Sequence, residues 1–516
     1  MFVGGTHASD ARLDEITSTK TDRHLGTDEC SRHLESNCPT IGHNMRLLSG
    51  ALHFLAAASA AKPPSVGWDS GPKVLERDVC IIGGGSSGTY AAVRLTDVGH
   101  SVAVIEKQDH LGGHTVTYRD PDTGTPLNMG VIIFHDLPIV RNYFGHLGVE
   151  LQNADLGGSS TEYYDFSTGT SVSGFELPDQ DTLGAALKKY AKILDERYPN
   201  ISLAYDLPDP VPDELVEPYA DFIEEHGLQA IVNLVNSIAG GNGNLWERPA
   251  LFGIKVFSPM LLRAYNEGFI NAASGDNQDL YRAAEELLGG DNVVLSSTIR
   301  KVERTGKGVN VKVDTPGGRV IVKAKKLLVA IPPTTKSLKA IGIDLKRSES
   351  SLFDQLKGVL YGSAVVTHTG VNQSVSLSNV GADNPYNLLS LPGTYSYGTE
   401  PGTDKIKAHY GGTESDISMT DEEIKDLIRG ELENLERAGN IGEGDAEFSF
   451  FVNHSPYHVH VDPEAVKRGF YRELYELEGK TDTFWTGAAW VDQDSSLIWS
   501  WSEEYLLPLI LESLSE

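Results

Sequence analysis

The hydropathy pattern changes character twice before residue 77. Residues 1–44 are polar, lack apolar periodicity and are rich in His, Thr, Asp and Ser, so they read as a disordered extension or an upstream mis-start. Met45-Arg46 then opens an apolar run, Leu47 to Ala60, too short to span a bilayer and closing on Ala58-Ser59-Ala60. A basic start, a short apolar core and small residues at a cleavage position make 45–61 signal-peptide-like. On this reading Met45 is the functional start, and the mature protein enters the secretory route or is secreted. From Arg77 the pattern sharpens. Asp78-Val79-Cys80-Ile81-Ile82 predicts a buried strand. Thr89 to Val98 has helical spacing, with Ala92, Leu95 and Val98 on the face of Gly88, and Gly99 stops it. Ser101 to Ile105 is a second strand, ended by Glu106.

Further along, Val116 to Arg119 and Thr125 to Asn128 predict a hairpin around Asp120-Pro121-Asp122-Thr123-Gly124. Asn292 to Leu295 and Thr298 to Val302 precede strands at Val309 to Val313, Arg319 to Val322 and Lys326 to Ala330. Helices are expected over Thr182 to Asp195, Asp213 to Glu225 and Asp421 to Glu436, and Glu162 to Asp165 reads as a short strand. Asp494-Ser495-Ser496 reads as the start of a helix running to the end of the chain. No internal repeat is visible, and no stretch after residue 61 is long and apolar enough for a stable membrane span.

Between the first strand and helix lies Gly83-Gly84-Gly85-Ser86-Ser87-Gly88, so Gly83, Gly85 and Gly88 form G-x-G-x-x-G in a strand–turn–helix–strand context. Each part has a task. Gly83 permits the tight turn, Gly85 lets a pyrophosphate approach the backbone, and Gly88 lets the helix lie close to the sheet. The helix N-terminus at Ser87 offers N–H groups and positive dipole to phosphate. Glu106, about 20 residues on, can accept hydrogen bonds from ribose hydroxyls.

After Glu106, five residues lead to Gly112-Gly113-His114-Thr115. Acid, five residues, then Gly-Gly resembles the signature of flavoproteins of the amine-oxidase and phytoene-desaturase group. The resemblance implies a cofactor, FAD, whose diphosphate is approached by Gly112, Gly113, His114 and Thr115. It implies that Gly130-Val131 passes close to the flavin and that Ile299 contacts adenine through its backbone. It also implies that the last helix, after Thr486-Gly487-Ala488-Ala489, points its N-terminus, with Ser496, at the flavin pyrimidine edge. His114 stands where many members have Arg, and Ala488 where many have an acid. The sequence resembles the β-cyclopiazonate dehydrogenase family of fungal secondary metabolism, through Gly112 to Thr115, Gly130-Val131 with Phe134-His135-Asp136, and Thr486 to Ala489 followed by Asp494 to Trp499. The expected fold is therefore α/β. A Rossmann-like FAD-binding domain would be drawn from 77–150, 260–335 and 475–516, with an inserted α+β substrate domain drawn from 150–260 and 335–470.

The net charge of -29 repels phosphate backbones and makes nucleic acid an unexpected partner. The three cysteines, Cys30, Cys38 and Cys80, show neither zinc spacing nor a redox CxxC, and Cys80 reads as a buried small hydrophobe. His458 and His460 share a face of a strand without a supporting acid, which points to an exposed strand face and no metal site. His135 and Trp490 adjoin matched segments, with either cofactor or packing roles open to them. Sequons stand at Asn200, Asn372 and Asn453. Gly240 to Gly243 follows no strand, so no second dinucleotide fingerprint is present. This argues against a nicotinamide-fed monooxygenase. The expected activity is an FAD-dependent oxidoreductase that removes a hydride from a hydrophobic small molecule, with dioxygen or another electron acceptor reoxidising the cofactor. The resemblance implies a natural-product substrate, terpenoid or prenylated. Two rivals remain: a redox-neutral flavin isomerase of polyunsaturated lipids, and a flavin-binding protein without catalysis. No catalytic side chain is legible.

Overall fold

Strand β1 (Lys73–Ile82) is half exposed at its start and buried through Val79, Cys80, Ile81 and Ile82, as a strand entering a covered sheet must be. The computed structural model describes residues 71–155, 160–238 and 240–516. Met45, the 1–44 extension, the 45–61 segment, Cys30 and Cys38 lie outside the described residues. Helix α1 (Ser86–Asp97) follows β1, then β2 (Val102–Ile105). Val98 caps α1 and is half exposed, so the buried face of the helix ends at Leu95.

Five more strands complete the sheet: β3 (Val293–Val294), β4 (Thr298–Arg304), β5 (Val309–Thr315), β6 (Gly318–Val329) and β7 (Thr483–Trp485). Their order is β4-β5-β6-β1-β2-β3, with β7 beside the end of β6. The β6-β1, β1-β2, β2-β3 and β6-β7 pairs are parallel, and β4, β5 and β6 form an antiparallel meander. The sequence pattern separates Arg319–Val322 from Lys326–Ala330, but the structure joins them. Alternation continues through exposed Lys323, buried Ala324 and exposed Lys325, so nothing breaks the strand. Its first part pairs with β5, and its last residues pair with β7.

A second sheet of six strands takes Ser160–Tyr164 from one insertion and five strands between Tyr361 and Asn453 from the other. Its core (Ala364, Val366, Tyr397, Ile406) is covered by the helix Asp421–Arg437 through Ile424, Ile428, Leu432 and Leu435. A Thr420/Glu423 capping box fixes where that helix starts. The helix expected over Asp213 to Glu225 is split. A short turn, Asp213–Leu215, ends before Pro218, which restricts Glu217 to extended backbone, and a new helix runs Tyr219–Glu225. The described residues belong to one compact unit. No helix among them is long and apolar enough to cross a membrane.

Candidate active site

The parallel strands β1, β2, β6 and β7 all end on one edge, and a cavity of about 1730 Å³ opens there. Ile82 and Gly83, Ile105 and Glu106, Ala330 and Ile331, and Thr486 and Gly487 line it at those four strand ends. This is where a doubly wound sheet places its ligand.

Two glycine turns meet at the cavity floor. Gly112 N donates to the Gly84 carbonyl at 2.8 Å, and Gly85 and Gly112 form a parallel bridge. A Cβ on Gly113, which has φ +59°, would fall 2.7 Å from the Gly85 Cα, so the backbones touch where only glycine allows it. Helix α1 begins here with Gly85 as an N-cap that supplies no side-chain hydrogen bond and with no acid in its first turn. Its first N–H groups and positive dipole end are therefore available to an anion. Glu106 is buried at the end of β2. Its carboxylate accepts from Gly84 N at 2.7 Å and Gln108 N at 2.9 Å, which fixes it beside the turn with lone pairs remaining. Thr486 Oγ1 lines the same wall, buried and without a hydrogen-bond partner. A narrow glycine floor, an uncapped helix start and a fixed acid suit a dinucleotide diphosphate and ribose.

Of the residues singled out in the sequence, Gly83, Gly85, Ser87, Glu106, Gly112 and Gly113 line this cavity. So do His114, Thr115, Gly130, Val131, Ile299 and Gly487. Gly88 does not. A Cβ there would lie 2.0 Å from the Gly83 carbonyl oxygen, so its part is helix–turn packing. Ser496 does not line the cavity either. Its hydroxyl accepts from His135 N at 3.2 Å inside the protein, and it is Ser495 that faces the cavity, hydrogen-bonded to Ser86 at 2.8 Å. One residue of helical rotation explains the difference.

His114 lies half-buried against His454 and Tyr457, with ring centroids 4.7 and 5.8 Å away, and the loss of water around it holds its imidazole down to about 3. It is neutral at physiological pH and brings no charge to the floor. Gly130 packs against the His114 carbonyl so closely that a Cβ would sit 1.8 Å from the oxygen. Asn277 holds the next turn by donating to the carbonyls of Val131 and Ile132, both at 2.9 Å.

Beyond the glycine floor the cavity runs between Leu234, Ile238, Leu261, Phe269, Tyr361 and Val459. Tyr265 and Ile417, both partly solvent-exposed, also line it. These walls are largely apolar, with ionisable groups set among them. Lys255 is fully buried and donates to the carbonyls of Ile201 and Ser202 at 2.9 and 3.0 Å. Asp492 is buried, and His135 lies 2.9 Å from Asp494, the N-cap of the final helix. Burial opposes charge on both members of that last pair, but their mutual attraction prevails, raising His135 and lowering Asp494.

The His458 and His460 face is not exposed. Both rings are 2% accessible and pack edge-on against Phe252 of an apolar helix. Arg248 contacts His458 at 3.1 Å, and Glu414, distant in sequence, contacts His460 at 2.7 Å. Among the described residues no group of three or more His, Cys, Asp or Glu is placed to hold a metal ion. Trp490 is buried in a stack with Trp485, 6.3 Å between centroids, so its part is packing. Lys255 and Asp492 escaped sequence reasoning. The available signal was a single charge inside each of two apolar runs, Ala250–Val256 and Ala488–Val491 with Asp492 at its end.

The fold and the floor define a dinucleotide-binding site. The chain belongs to the flavin-containing amine oxidoreductase family, whose profile matches residues 86–455. It is 34% identical over 454 residues to the FAD-dependent oxidoreductase dpchF of Colletotrichum higginsianum, covering 85% of this chain and 94% of that protein. It is 35% identical over 439 residues to the beta-cyclopiazonate dehydrogenase of Aspergillus oryzae, covering 84% and 92%. The crystal structure of the CLA-producing fatty acid isomerase from P. acnes shares the fold with a TM-score of 0.68 at 18% identity, over 84% of this chain and 98% of that one. The protein is thus an FAD-dependent oxidoreductase, similar to enzymes of fungal secondary metabolism.

Proposed function

We propose that this enzyme oxidises a hydrophobic natural product, terpenoid or prenylated, by removing a hydride from a carbon next to nitrogen or to an unsaturated carbon. The observation that carries the reading is the continuity of the cavity: one space begins at the touching Gly85 and Gly113 turns and ends between apolar walls. Bound FAD supplies the electron-accepting chemistry. The chain's part is positioning. Gly83, Gly85, Gly112, Gly113 and the start of α1 at Ser87 would hold the diphosphate, Glu106 the ribose, and Ile299 the adenine. Thr115, Gly130, Val131 and Gly487 would pass along the remainder of the cofactor. Leu234, Ile238, Leu261 and Phe269 would hold an apolar substrate and exclude water, which shields the transferred hydride from side reactions. The relative's name, a dehydrogenase, supports net oxidation. The test is anaerobic bleaching of the bound flavin by a panel of prenylated and terpenoid compounds, followed by aerobic turnover. Bleaching with subsequent peroxide release or acceptor reduction supports the reading. Turnover without net electron transfer would replace it with an isomerase, and a flavin that nothing reduces would leave a binding protein.

We also place the chain in the secretory route. The segment beginning at Met45 supports this, and Asn200, Asn372 and Asn453 are all exposed. N-terminal sequencing of the native protein checks it, and a mature chain that retains Met1 would end the idea.

A further inference from the structure

Hydride removal leaves a substrate with one proton too many, and of the carboxylates that line the cavity Glu106, Glu414 and Asp494 are each held by a protein partner. Asp492 lies on the cavity wall five residues after Gly487, is 6% exposed, and has a carboxylate oxygen, Oδ1, without a hydrogen-bond partner. A buried, unpartnered carboxylate oxygen is costly and is not retained for packing. Lys255, on the helix Ala250–Val256, lines the same cavity and attracts Asp492 electrostatically without forming a contact ion pair. Its ammonium is itself held by the Ile201 and Ser202 carbonyls and lies 4.6 Å from the centre of the Tyr205 ring.

We propose that Asp492 accepts the N–H or O–H proton of the substrate while the adjacent C–H gives up its hydride, with Lys255 as the positioning residue that keeps the carboxylate ready. This deepens the oxidoreductase reading above and rests on it. The step balances. The C–H bond breaks and its electron pair leaves as hydride to oxidised FAD. The N–H or O–H bond breaks and its proton goes to Asp492, and a C=N or C=O bond forms. The substrate class is thereby narrowed to an amine bearing hydrogen on the adjoining carbon, or an alcohol whose carbinol carbon adjoins an unsaturated carbon.

The groups that bear on Asp492 are Lys255, Tyr205, Tyr457, Tyr471 and Asp494, and Asp494 is in turn tied to His135. Burial, the largest influence, pushes Asp492 up to about 6, against the pull of Lys255. Reduction adds negative charge to the cavity and makes a nearby carboxylate bind its proton more tightly. The reduction potential should therefore fall more steeply with pH in the range just above that value, by one further proton per electron pair.

The test is a potentiometric titration of the FAD-loaded enzyme with dithionite and mediator dyes across about pH 5 to 9. The expected wild-type curve has a change of slope near pH 6. Asp492→Asn should remove it at unchanged FAD content, Asp492→Glu should keep it, and Lys255→Met should move it to higher pH. A wild-type curve without the change, or one unaltered in Asp492→Asn, overturns the inference. If Asp492→Asn fails to fold, the Lys255→Met shift decides in its place, and an unmoved curve overturns the inference equally. A colourless protein unable to take up FAD sinks the parent reading instead.

Discussion

A methyl group built on Gly85 meets only the Gly113 Cα, at an ordinary 3.7 Å, whereas one on Gly88 falls 2.0 Å from the Gly83 carbonyl oxygen. The two glycines of one motif therefore fail in different ways. Gly85→Ala should leave the melting temperature of the FAD-free protein within about 1 °C, since surface-like changes cost little. It should still weaken FAD binding at least about tenfold, roughly 1.4 kcal/mol, by filling the diphosphate's space. Gly88→Ala should lose about 1–3 kcal/mol of stability through overpacking, with cofactor loss following from the damaged turn. Thermal melts of the FAD-free proteins, paired with FAD titrations, separate the two. Equal destabilisation by both would contradict the assignment. The G-x-G-x-x-G spacing was legible in the sequence, but which glycine lines the cavity and which faces backbone becomes visible only when Gly83, Ala330 and Gly113 are placed around them.

Among the elements, the helix Asp421–Arg437 carries a buried acid, Glu431. It accepts from Thr394 N at 3.1 Å and Tyr397 Oη at 3.2 Å, and burial pushes it up to about 7. A carboxyl raised in the folded state stabilises fully below its unfolded value near 4.5, and that contribution is lost as pH rises through about 7. Glu431→Gln should therefore match the wild type near pH 4.5 and exceed it by about 2–3 kcal/mol at pH 8, read by denaturant unfolding at both pH values. A wild type that gains stability over this range relative to the variant would contradict the burial argument. A different element junction rests on charge. Arg304 at the end of β4 forms a two-pronged pair with Glu349, at 2.6 and 2.8 Å, with both side chains buried. Glu349→Ala leaves the guanidinium only Asp344, whose Oδ1 accepts from Arg304 Nε at 2.9 Å, and should cost about 1–3 kcal/mol, read by denaturant unfolding. Element types were largely readable because period and burial agree locally. Joining of β6 and splitting at Pro218 turned on alternation and proline geometry. The buried state of His458 and His460 was not readable, because Phe252, Arg248 and Glu414 reach them from distant segments.

In the whole molecule, four parallel strand ends converge on one cavity, and a sheet drawn from two insertions lies alongside it. The cofactor half of this arrangement could be inferred from the sequence, since phosphate recognition is built from contiguous turns. The substrate half could not. Its walls come from residues between Leu234 and Ile498, and the pairing of Ser160–Tyr164 with Val375–Asn379 has no local signature. The proposed site grips a single cofactor where the turns at Gly85 and Gly113 touch. The most direct measurement is the absorbance spectrum of the purified protein together with the mass of the molecule released on denaturation. A yellow protein that releases FAD in one-to-one proportion is the predicted result. A well-folded, colourless protein that remains colourless after incubation with excess FAD would contradict it.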